Sequence, residues 1–157
     1  MSGKKMHNMK MEDERPSPPY QHLKSPVDTT LPKGNSKKEF VLNLTGDMEN
    51  YIWTINNKTL KESDKILIRK GENVTFIMNN HTMMNHPMHL HGHVFQVVGL
   101  NGRRLAGALR DTVHVPPMSM VDVALDAGEA ARWMLHCHHM PHLSTGMMTE
   151  FAVTASV

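Results

Sequence analysis

Residues 131–147 read ARWMLHCHHMPHLSTGM, and this stretch decides the fold. Ala131, Trp133, Leu135 and Cys137 fall at every second position, with more polar or bulkier residues between them. An extended strand sends successive side chains to opposite faces, so these four share one side. An apolar row of this kind belongs on the core side of a sheet. The Cys137 thiol therefore points inward, and His136 and His138 on either side of it point outward.

The same period of two runs back through the chain. Phe40, Leu42 and Leu44 alternate with polar residues and lead to a turn expected at Gly46-Asp47. Tyr51, Trp53 and Ile55 alternate next, up to a turn at Asn56-Asn57. Ile66 to Ile68 make a short apolar run before Lys70-Gly71-Glu72, and Val74, Phe76 and Met78 share a face. A strand is expected over Val94 to Val98, closed by the hairpin signal Asn101-Gly102. Thr112 to Val115 precede Pro116-Pro117, Val121, Val123 and Leu125 alternate again, and Phe151 and Val153 close the set. No segment offers a ten-residue amphipathic helix. Many short strands between turn signals predict an all-β fold, a Greek-key β-sandwich or barrel. Residues 1–36 differ: five prolines, many charges and no sustained apolar period predict a tail or linker ahead of one domain spanning 37–157. Met6, His7, Met9 and Met11 lie close together in that tail.

The totals narrow the function. A chain of 157 residues suits one domain with a sizeable core. A net charge of +2 from scattered Lys and Arg gives no electrostatic basis for a nucleic-acid partner. No apolar run approaches the roughly 20 residues needed to cross a bilayer, and the first residues lack the apolar stretch of a secretory signal. One cysteine excludes an intrachain disulfide. Twelve histidines and fifteen methionines supply imidazole nitrogen and thioether sulfur, donors that suit copper.

Those donors gather in two clusters. One is HPMHLHG at 86–92; the other is HCHHMPH at 136–142, followed by Gly146-Met147. On the core side, Cys137 can meet His142 five residues on, Met147 five further, and His86 from the other cluster. Two His and one Cys in a plane with a weak axial Met is the blue-copper set. On the outer side, His89, His91, His136 and His138 amount to half of a multi-copper cluster that binds dioxygen. A cupin would need an acidic ligand within Gly92-His93-Val94-Phe95-Gln96, which has none. A structural zinc site would recruit more than one Cys.

The segments MNHPMHLHGHVFQVVG, RDTVHVPP and RWMLHCHHMPHLSTGMM resemble the C-terminal cupredoxin domain of bacterial multicopper oxidases, nearest to laccase-like and copper-resistance oxidases. The resemblance covers about residues 37–157. It implies that His86, Cys137, His142 and Met147 hold the type 1 copper, that His89 binds the type 2 copper, and that His91, His136 and His138 bind the type 3 pair. It implies electron transfer through the Cys137–His136 and Cys137–His138 links, so that oxidation of a phenolic or metal reductant drives dioxygen reduction to water. It also implies a periplasmic or extracellular location.

The family pattern needs two further His-x-His pairs from a first domain, and His7, His22, His81, His93, His114 and His139 lack that spacing. An N-terminal cupredoxin partner or further copies of this chain would have to supply them. The alternatives are a single-copper electron carrier and a copper-sequestering resistance protein. Met83, Met84 and Met88 are expected as core or loop filling, Met118 and Met120 near the rim of the type 1 site, and Trp133 as packing beneath the copper strand. Asp111 is expected either as an ordinary turn carboxylate or as the hydrogen-bond partner of a ligand histidine, which needs an outer partner. His93 and His139 are expected as bystanders.

Overall fold

The computed structural model describes residues 37–155 together with residues 25–27. Most of the expected tail, with Met6, His7, Met9, Met11 and His22, lies outside the described residues. The strands are β1 (Lys37–Asp47), β2 (Ile52–Ile55), β3 (Ile66–Arg69), β4 (Asn73–Asn80), β5 (His86–Leu90), β6 (Phe95–Leu100), β7 (Arg103–Arg104), β8 (Leu109–Arg110), β9 (Thr112–Val115), β10 (Met120–Asp126), β11 (Ala131–Cys137) and β12 (Met148–Thr154). One helix, α1 (Met140–Thr145), sits between β11 and β12.

Two sheets face each other. One runs β2-β1-β4-β10-β6-β7, with β8 also paired to β6; the other runs β3-β12-β11-β5-β9. β1 pairs with β4, and β12 with β3, in parallel; the remaining strand pairs are antiparallel. The result is a β-sandwich, as the alternation predicts, and it is cupredoxin-like, as the resemblance implies. Val74, Phe76 and Met78 of β4 are all fully buried. Across the interface Phe76 meets Phe151 of β12 in an edge contact at 5.6 Å between ring centroids. Burying rows of such side chains is the main stabilising term for the sandwich.

Local chemistry explains most of the turns. Asn101 and Gly102 adopt φ of 48° and 80°, the left-handed pair that a two-residue hairpin requires. Asn56 and Asn57 do the same at 54° and 60°. The first turn falls later than expected. β1 continues through Gly46 to Asp47, and the reversal uses residues 48–51. Asp47 fixes it by accepting from the Glu49 and Asn50 N–H groups and the Asn50 side-chain amide. Gly46 serves packing rather than turning: a Cβ there would overlap the Trp53 indole. β6 likewise starts at Phe95 rather than Val94, whose side chain is exposed.

α1 is too short to show a helical period in the sequence. Pro141 in its first turn has no N–H to leave unpaired there, and its fixed φ suits a helix start. The helix ends at Gly146, whose φ is 132° and whose N–H bonds back to Leu143 O. This turn carries His142 and delivers Met147 to the start of β12.

Candidate metal centre

Register in the second sheet builds the site. β11 lies antiparallel to β5, with Leu135 opposite Leu90, His136 opposite His89 and Cys137 opposite Met88. Directly opposed residues share a face. Leu90, Met88, Leu135 and Cys137 therefore point into the core, where all four are buried. His89 and His136 project from the other side, as the period of two predicts. His91 and His138 follow them, two residues along each strand.

On the inner side, His86 from the start of β5, Cys137 from the end of β11 and His142 from α1 converge. Their ligating atoms lie within 4.8 Å of one another, and all three residues are buried. Cys137 Sγ is 3.7 Å from His86 Nδ1 and 3.7 Å from His142 Nδ1, and the two Nδ1 atoms are 3.1 Å apart. A trigonal ion about 2.3 Å from sulfur and about 2.0 Å from each nitrogen would set sulfur–nitrogen spacings of about 3.7 Å and a nitrogen–nitrogen spacing of about 3.5 Å. The trio fits such an ion after the two rings open by a few tenths of an ångström. Met147 is fully buried beside them, its carbonyl accepting from the Cys137 N–H at 3.1 Å and its own N–H donating to His142 O at 3.1 Å.

Burial sets the protonation of the metal-free trio. It pushes His86 down to about 3, helped by His142, and His142 down to about 4, helped by His139. It pushes the Cys137 thiol up to about 11, against a hydrogen bond from the His139 backbone N–H. Both imidazoles are thus neutral and ready to ligate, while the thiol holds its proton until a metal displaces it. Between about pH 5 and pH 10, one proton should leave for each ion bound. The affinity for copper should then rise about tenfold per pH unit. Competition titrations at three pH values would check this, and a flat profile would mean that Cys137 is not the proton donor.

Aromatic rings enclose the trio. Trp53 of β2 is wholly buried, with its ring centroid 4.3 Å from His142 and 5.4 Å from His86. His139 lies 4.3 Å from His142, and Tyr51 6.2 Å. Among these, the sequence reading places Trp53 only as a strand residue. Nothing local ties it to a motif more than thirty residues away; the first sheet brings it there. His139 is exposed and stacks on the His142 ring from outside the trio.

On the outer side the four imidazoles cluster. His89 lies 4.9 Å from His91, 5.6 Å from His136 and 6.0 Å from His138, centroid to centroid. His91 Nε2 and His136 Nε2 are 2.9 Å apart. His136 Nδ1 donates to Cys137 O at 3.0 Å, which leaves its Nε2 as the acceptor facing His91. His136 is nearly buried although it points away from the core, because His89 and His91 stand over it, whereas His138 is exposed. His89 Nδ1 donates to Asp111 O at 2.9 Å and lies 3.0 Å from Thr112 Oγ1, which itself donates to the Asp111 carboxylate. Asp111 thus reaches a histidine of the cluster through its carbonyl directly and through its carboxylate by way of Thr112.

The remaining residues fall into place around these two faces. His93 is fixed at both nitrogens, donating to His91 O and accepting from the Gly128 N–H. His81 bonds to Asn43. Trp133 packs on Gly92, where φ is 68° and a Cβ would overlap its ring. Met88 is core, Met84 packs against the core, and Met83 and Met118 are exposed.

Comparison with known proteins places the chain. A sequence profile described as multicopper oxidase matches residues 34–157. The chain belongs to the multicopper oxidase family, whose cofactor is copper. It is 39% identical over 107 residues to the multicopper oxidase MmcO of Mycobacterium tuberculosis, covering 68% of this chain and 21% of that one. Copper resistance protein A of Escherichia coli is 34% identical over 112 residues, covering 71% and 18%. Among solved structures, McoA multicopper oxidase of Aquifex aeolicus matches with a TM-score of 0.66 and 29% identity, over 83% of this chain and 31% of that one. Blue copper oxidase of Nitrosomonas europaea shares the fold with a TM-score of 0.71 at 24% identity, over 75% and 44%. The chain spans about a fifth of the length of these curated relatives.

Proposed function

We propose that residues 37–157 form the C-terminal cupredoxin domain of a laccase-like oxidase, with 1–36 as a linker. His86, Cys137, His142 and Met147 hold the type 1 copper, His89 the type 2 copper, and His91, His136 and His138 one side of the type 3 pair. Copper so bound would take single electrons from a phenolic or metal reductant and pass them on for reduction of dioxygen to water. One observation carries this reading: β11 sends Cys137 into the inner trio while its two neighbours stand in the outer imidazole cluster. The path from one face to the other is then covalent, running through the Cys137 backbone.

The remaining histidines come from an N-terminal cupredoxin domain or from further copies of the chain. The short span relative to its relatives supports the first source. Relatives named for copper resistance support a copper-handling role, and the family resemblance puts that role in the periplasm or outside the cell. Among the described residues, no helix is long and apolar enough to cross a membrane. A second reading, a one-copper electron carrier, draws on the inner trio being a group gathered for a single ion without outside help.

Copper counting separates them. The oxidase should bind more than one copper per chain once its partner domain is added, and consume oxygen while oxidising a phenol. One copper per chain and no oxygen uptake with that partner would leave only the carrier.

A further inference from the structure

The two imidazoles of the inner trio are anchored differently. His142 Nε2 is buried with no protein partner. His86 Nε2 lies 2.8 Å from Thr82 Oγ1. That hydroxyl is 2.8 Å from Asn80 Oδ1, which also accepts from the Thr82 N–H at 2.9 Å. An amide oxygen only accepts, so the threonine gives its proton to Asn80 and receives one from His86. His86 is therefore protonated on Nε2, and its Nδ1 presents a bare lone pair to Cys137 and His142.

Asn80 extends the chain of bonds. Its amide nitrogen reaches Met84 O at 2.7 Å, Pro116 O at 2.9 Å and Val115 O at 3.2 Å. The main chain adds Asn80 N–H to Ser119 O and Met118 N–H to Thr82 O. Asn80 and Thr82 are 1% and 8% exposed, so water does not compete for these bonds. Every side-chain nitrogen and oxygen of Asn80, Thr82 and His86 has a partner, which is the condition for a buried network to hold one geometry.

We propose that Thr82 and Asn80 are positioning residues that fix the tautomer and aim of His86 and tie it to the end of β9 and the loop at 116–119. The relay is uncharged throughout. It orients the imidazole without adding the negative charge that a carboxylate partner would bring. That the trio binds copper is the reading given above; the arrangement of protons is a property of the metal-free chain.

The test uses the whole chain with nitrogen-15-labelled histidine. Without metal, ring nitrogen shifts should show His86 protonated on Nε2, with a slowly exchanging proton. Thr82→Ser should keep both features. Thr82→Val, of nearly the same shape, should speed exchange at least tenfold. With copper, Thr82→Val should retain the ion ten- to a hundredfold less well and shift the thiolate absorption, while Thr82→Ser restores both. His86 protonated on Nδ1 in the unmodified chain would overturn the proposal, even if Thr82→Val failed to fold. So would wild-type exchange in a folded Thr82→Val. If copper gave the unmodified chain no blue colour, the copper reading would fail while the metal-free measurements still decided the relay.

Discussion

Cys137→Ser should abolish the intense blue absorption of the copper-loaded chain outright, rather than shift or weaken it. That band requires a thiolate bound to Cu(II), and Cys137 is the only cysteine in the sequence. The substitution is almost isosteric in a fully buried position, so the sandwich should keep its fold. A serine hydroxyl is far less acidic than a thiol and would remain protonated at this apolar site. His86 and His142 would then face an ion without their anionic partner. Copper retention should fall by more than the ten- to hundredfold that loss of an outer hydrogen-bond partner costs. Absorption spectra and equilibrium dialysis of the loaded chain check both effects. A blue Cys137→Ser protein would reject the inner trio as the type 1 site.

The sequence made the facing of β11 legible because a single strand obeys a period of two without outside help. Ala131, Trp133, Leu135 and Cys137 needed no partner to declare one side. The convergence of His86 with His142 was also readable, since blue copper demands a fixed set of donors and few arrangements of this chain supply it. What could not be read depends on register between strands distant in sequence. Trp53 meets His142 because the first sheet closes over the second, and Gly46 is small because Trp53 is there. Asn80 ends β4 and Thr82 stands just beyond it, and neither belongs to a motif. Their proposed role emerges only once the end of β9 and the 116–119 loop fold back onto the Asn80 amide. The short helix escaped because six residues are less than two turns, too few for a helical period, and Pro141 reads as easily as a loop residue.

Removing the outer imidazoles should separate the two faces of β11. His89→Ala combined with His91→Ala deletes one strand's contribution to the outer cluster. The inner-facing Met88 and Leu90, which pack in the core, are untouched. Neither histidine touches Cys137, His86 or His142, so the blue band should keep its position and most of its intensity. His136 Nε2 would lose its partner at 2.9 Å, a local loss of one hydrogen bond worth about 1 kcal/mol. If a partner domain completes the cluster as proposed, oxygen uptake by the assembled protein should nevertheless fall to background, because a cluster missing two imidazoles cannot hold its ions in place. Absorption and an oxygen electrode read the two outcomes on one sample. Loss of the blue band in the double variant would mean that the faces are not independent. Undiminished oxygen uptake would mean that these histidines do not serve the oxygen-reducing copper, and the chain would then have to be read from the inner trio alone.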